Sequence, residues 1–259
     1  MKNIFIYALA ALSILACART SSKASLFSNS STYYSTMSEL KVAIYYEPQA
    51  VPYTGKTTGG LDIFSVLSTN IEALFNGRNI QFTVPNTLNG MKELPSQNKT
   101  VWTHNDIEKL ARNSQPGVST PNTSYFSIYF LKGYYESEGT QQTSTIGLNI
   151  TGTPFIAIFK DVILSKTSDP NGLLAKFMEQ TTLVHEMGHA LGLVNSGIPM
   201  ATQHQDTAHG SHCTNPNCVM YWLNEGQSDL SAFILKYLQS ASLVMFGQEC
   251  LNDAANYNP

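Results

Sequence analysis

The stretch DPNGLLAKFMEQTTLVHEMGHALG, residues 169–192, decides how this chain is read. Asp169 as a cap and Pro170 at the first helical position mark a helix start. Leu174, Phe177, Thr181, Val184 and Leu191 recur at helical spacing, and Gly192 suits a left-handed helix end. The spacing predicts a helix from Pro170 to about Leu191. Its second half carries His185-Glu186-Met187-Gly188-His189. Side chains four apart lie on one helix face, so the imidazoles of His185 and His189 can share one Zn²⁺ at about 2.0–2.1 Å each. Glu186 projects beside them, where it can take a proton from the water that the metal activates.

Five of the six histidines fall between His185 and His212, a bunching that core or surface histidines have no reason to show. A zinc site of this kind needs a third protein ligand. Here the sequence resembles the metzincins, whose pattern is H-E-x-x-H-x-x-G-x-x-H followed by a methionine turn. Gly192 matches the glycine of that pattern, but the next ligand position holds Asn195, and a neutral amide is a poor zinc ligand. Asn195 is therefore expected to satisfy backbone groups after the helix.

The segment His212-Cys213-Thr214-Asn215-Pro216-Asn217-Cys218-Val219-Met220 is similar to the H-C-x-x-x-x-C-x-M stretch of archaemetzincins. That resemblance implies His212 as the third ligand and Met220 as the methionine beneath the metal, after an insertion spanning roughly Asn195 to Ser211. His204, Asp206 and His209, all in the insertion, are the alternatives. Tyr221 and Trp222 follow directly and would pack under the site or line a pocket. In archaemetzincins the two cysteine positions join a later C-x-x-C around a second zinc. This chain lacks that pair and keeps only Cys250, so one catalytic ion and a Cys213–Cys218 disulfide are the expectation.

Elsewhere the pattern alternates. Strands are predicted at Leu40–Tyr46, Asn79–Val84, Tyr125–Tyr135, Thr145–Ile150 and Phe155–Val162. Helices are predicted at Gly60–Phe75, Asn105–Asn113 and Ser228–Phe246. The fold class is α+β. The resemblance implies a metzincin-like zincin fold: a mixed twisted sheet with an antiparallel edge strand, an active-site helix, a methionine turn and a C-terminal helix. Thr145–Ile150 is the candidate edge, where a substrate would bind as an added strand.

The amino end differs in kind. Lys2, the apolar run Ile4–Leu15 and Ala16 before Cys17 read as an export signal over residues 1–16. The position of Cys17 resembles a bacterial lipobox, which implies a lipidated Cys17; an ordinary secretory signal is the other reading. Residues 17–38, rich in Ser and Thr, read as a flexible tether and residues 39–259 as the catalytic domain. The place implied is the bacterial cell envelope, on a membrane and facing periplasm or exterior. With 259 residues, 42% apolar and 13% charged, the chain can build a core. A net charge of −3 without blocks of one sign argues against a nucleic-acid partner.

These features point to a zinc-dependent endopeptidase or aminopeptidase with Glu186 as general base. Two other readings compete: a lipid-anchored, non-catalytic peptide- or metal-binding module, and a hydrolase of amide bonds outside proteins. A pure binder has no need of Glu186 between two ligands.

Overall fold

Two apolar runs, Leu40–Tyr46 and the one beginning near Tyr125, pair with each other and seed the sheet. The computed structural model describes residues 29–114, 117–169, 171–225, 227–240 and 242–259. The predicted export signal, Cys17, the first part of the predicted tether and Pro170 lie outside the described residues. In chain order the elements are α1 (Ser30–Ser35), β1 (Glu39–Tyr46), α2 (Ser65–Leu74), β2 (Gln81–Thr83), β3 (Lys92–Glu93), β4 (Val101–Trp102), α3 (His104–Ser114) and β5 (Thr123–Leu131). Then follow β6 (Tyr134–Ser137), β7 (Thr140–Gln142), β8 (Gly147–Asn149), β9 (Phe155–Phe159), α4 (Lys160–Ser165), α5 (Leu173–Ala190), α6 (Gln227–Leu238) and α7 (Gln248–Asn256).

The main sheet runs β2-β1-β5-β9-β8, with β3 also on β1. All its pairings are parallel except β8 on β9, so the outer strand is an antiparallel edge. β5 and β9 are buried along most of their length, as expected of parallel strands covered on both faces. Tyr45 and Tyr129 stack on one face with centroids 5.0 Å apart. The Ser114 hydroxyl of α3 donates to the Tyr129 hydroxyl at 3.1 Å, which seats α3 there. Helix α5 packs on α2, β8 and β9, so the histidine motif lies under the edge strand. A side chain at Gly147 would stand 2.7 Å from Thr182 of α5, so only glycine lets the edge approach this closely.

A buried ion pair fixes α5 further. Lys160 donates to Glu179, and the Tyr53 backbone N–H donates to the other Glu179 oxygen at 2.8 Å. Burial pushes the Glu179 pKa up and the Lys160 pKa down, each against the pull of its partner.

Several boundaries differ from the sequence expectation. The run Tyr125–Tyr135 breaks at Gly133, where φ is +90° and a side chain would collide with the Thr100 carbonyl. Phe155–Val162 turns into α4 after Phe159. Helix α5 starts at the Gly172 cap, later than the predicted Pro170, because Asp169 closes a turn by accepting from Asn171 and Gly172. The helix predicted to run from Ser228 to Phe246 ends at Leu238, and α7, not expected from sequence, follows beyond it. Buried Asn70 donates to the Leu243 carbonyl and accepts from the Met245 N–H, which holds 243–245 out of helix before α7 begins.

The tether also needs correction, since its last part belongs to the folded body. Tyr33 packs on Phe126 and Tyr34 on Phe75, each at 5.1 Å, and both tyrosines are buried. Arg78 donates to the Tyr34, Ala254 and Tyr257 carbonyls, tying α1 to the end of α7. The serine-rich composition conceals two aromatic anchors.

A chain beginning at Asn29 should therefore fold, while one beginning at Glu39 should lose roughly 3–6 kcal/mol from the two aromatic side chains. Urea midpoints of the two would check this, and equal midpoints would show α1 to be dispensable.

Candidate metal centre

The end of α5 buries polar side chains, which is costly unless each is partnered. His185 is 3% exposed and Glu186 4%. His185 Nδ1 donates to the Val219 carbonyl at 2.8 Å, so its Nε2 carries the lone pair. That Nε2 lies 3.1 Å from Nε2 of His189. His212 joins from outside the helix. Its ring centroid is 5.2 Å from that of His185 and 5.1 Å from that of His189, and its Nδ1 meets the His209 carbonyl at 2.5 Å.

One donor atom from each of the three histidines lies within 4.8 Å of the other two. Two nitrogens on one tetrahedral zinc would stand about 3.3 Å apart. The donor set and its spacing fit such an ion.

Met220 lies beneath. It is fully buried, and a side chain at Gly188 would come within 2.4 Å of its sulfur. The glycine inside the His185–His189 motif is thus the contact point between helix and methionine segment. Above, a cleft of about 330 Å³ is lined by Glu186 and His189 on one side and by Gly147, Leu148 and Asn149 of β8 on the other, with Thr145, Thr151, Ser196 and Ser211 around it.

The other sequence candidates fall elsewhere. Asn195 has φ +59° and donates weakly to Gln205 at 3.4 Å; its value is tolerance of the left-handed region after Gly192 (φ +88°). Asp206 accepts from His209 Nδ1 at 2.8 Å, and the His209 ring stacks on Trp222 at 3.8 Å. His204 is buried in a second cluster. Its Nε2 meets Asp253 at 2.7 Å and its Nδ1 meets Cys213 Sγ at 3.2 Å, with Cys250 close by.

Cys218 Sγ lies 3.5 Å from Cys250 Sγ. The expected Cys213–Cys218 disulfide is not formed: Cys213, Cys218 and Cys250, the three cysteines among the described residues, are free and buried. Cys213 also meets His204 and Cys218 also meets Cys250, so the three sulfurs form one cluster with the imidazole in place of a single pair. Hydrogen bonds from Cys218 and Cys250 pull the Cys213 thiol far down, while its partners' bonds push Cys250 up and burial pushes Cys218 to about 12. Burial opposes charge on His204, but Asp253 and Cys213 outweigh it and raise its pKa. Three sulfurs and an imidazole backed by a carboxylate also make a donor set suited to a structural zinc.

Asp253 was missed by the sequence reading, as was the role of His204. The legible signal was Cys250 and Asp253 three residues apart, a spacing that shares a helix face.

Searches among protein-family models and among curated proteins found no match. Among solved structures, the chain is similar to an archaemetzincin from Methanopyrus kandleri, at 15% identity and a TM-score of 0.46, covering 84% of this chain and 94% of that one. It is also similar to a zinc-dependent peptidase from Methanocorpusculum labreanum, at 11% identity and a TM-score of 0.39, covering 72% and 93%. At such scores neither likeness carries chemistry across to this chain.

Thiol titration of a chain starting at Asn29, denatured without reductant, should count three thiols. A count of one would restore the disulfide.

Proposed function

We propose that this protein is a zinc-dependent peptidase whose ion is held by His185, His189 and His212. The observation that carries the reading is the convergence of these three imidazoles beside buried Glu186, which with His189 lines a cleft walled by an edge strand. A zinc ion there would supply Lewis acidity, polarising a carbonyl and lowering the pKa of a water to about 7.

The chain's own groups supply the rest. Glu186 takes a proton from the attacking water and returns it to the leaving amine. Val219 holds His185 in the tautomer that presents Nε2. β8 has a free side facing the cleft, on which a peptide can lie extended and exchange backbone hydrogen bonds.

The proposal includes a second, structural zinc on His204, Cys213, Cys218 and Cys250, in place of the single ion expected from sequence. It also includes an export signal over residues 1–16 and a lipid on Cys17, which would tether the protein to a membrane of the bacterial envelope. Among the described residues no helix is long and apolar enough to cross a membrane.

The test is hydrolysis of a quenched-fluorescent peptide library by the zinc-loaded chain from Asn29 onward. Glu186→Ala should keep its metal and lose about 100- to 10,000-fold in rate. His212→Ala should lose one of two bound zinc ions, counted by elemental analysis, while Asn195→Ala should keep both. Chelator-sensitive cleavage by the wild type alone would support the peptidase. Metal binding without cleavage would favour the binding module or a non-protein amide substrate.

A further inference from the structure

The inserted segment 195–211 is built around one carbonyl. Asp206 starts a tight reversal: its N–H donates to the His212 carbonyl at 2.7 Å, and its own carbonyl accepts from the His209 N–H at 2.9 Å. The Asp206 carboxylate accepts from the Ala208 N–H at 3.2 Å and from His209 Nδ1 at 2.8 Å. Gln205 closes the base by donating to the Gly210 carbonyl at 2.7 Å. The His209 ring then lies flat on Trp222, with centroids 3.8 Å apart and planes 4° from parallel. Trp222 follows the buried Met220 by two residues, so the stack ties the reversal to the segment beneath the metal centre. The product is the position of the His209 carbonyl, which meets Nδ1 of His212.

We infer that Asp206, His209 and Trp222 form a clamp that sets the tautomer and orientation of His212, making them positioning residues for the third ligand. A metal-ligating histidine almost always donates its other ring N–H to a partner that fixes its tautomer and orientation, and loss of such support costs about 10–100-fold in metal affinity. His209 thus contributes through its carbonyl and its ring face. The inference rests on the proposed ligation by His185, His189 and His212.

The test uses Co²⁺ in the chain from Asn29 onward, with affinity measured by competition with a chromogenic chelator. His209→Ala and Trp222→Ala should each weaken the histidine-site ion about 10–100-fold and change its visible d–d absorption. Thiolate-to-cobalt absorption from the cysteine cluster should be unchanged in both. His209→Phe keeps a flat ring on Trp222 and should recover most of the affinity, as should Trp222→Phe. Because the His209 side chain is 38% exposed, the metal-free thermal midpoint should move little. Wild-type affinity in both alanine variants overturns the clamp and leaves the peptidase reading standing. Equal loss of the thiolate bands shows general damage and also overturns it. Absence of a histidine-site ion from the wild type removes the metal centre itself, and the clamp with it.

Discussion

The hydrogen bond from His185 Nδ1 to the Val219 carbonyl, 2.8 Å long, is the joint on which the site depends. It fixes which nitrogen of a buried imidazole faces the centre. It also requires a segment distant in sequence to run directly beneath the end of α5. That segment has few regular hydrogen bonds of its own and is held from several sides. The Val219 N–H donates to the Met245 carbonyl at 2.8 Å, and the Cys213 N–H donates to the Met220 carbonyl at 2.7 Å. Met245 is in turn placed by Asn70 of α2. An unbroken chain of hydrogen bonds thus runs from α2 to His185.

Burying so many polar groups on α5 carries a cost that specific partners must offset. Glu179, Gln180, Thr181, His185 and Glu186 are all nearly inaccessible, on a helix whose other buried positions are apolar. A helix so placed gains little from leaving any face in water. It is fixed instead by specific partners: Glu179 by Lys160 and the Tyr53 N–H, His185 by Val219. The Lys160–Glu179 pair is costly to desolvate, so its effect is to specify one seating of the helix more than to add stability.

Local signals made the helix, its motif and the main strands legible. The helix period placed His185 and His189 on one face, and alternation found the paired runs of β1 and β5. What stayed hidden depended on distant partners. No propensity says that Asn70 will hold 243–245 out of helix, or that Gly133 stands against the Thr100 carbonyl. Composition misled twice. Serines around Tyr33 and Tyr34 read as tether although the two rings enter the core. Cysteines five residues apart read as a disulfide although both sulfurs join a larger cluster with Cys250 and His204. For the insertion, sequence supplied the right residue types without their roles: His204, Asp206 and His209 are all engaged, none of them at the centre formed by His185, His189 and His212.

Two donor clusters lie side by side, and extended backbone explains how one short segment serves both. Cys213 bridges Gln205 on one side and Tyr221 on the other, so the chain there is locally strand-like. Successive side chains of an extended chain point to opposite sides. His212 therefore turns toward His185 and His189 while Cys213 turns toward His204 and Cys250. After the turn at Asn215 the same segment delivers Cys218 to the sulfur cluster, the Val219 carbonyl to His185 and the Met220 side chain to Gly188. Three consecutive residues thus face three different partners. The two clusters share this segment, so whatever stiffens the cysteine side also narrows the freedom of the third histidine.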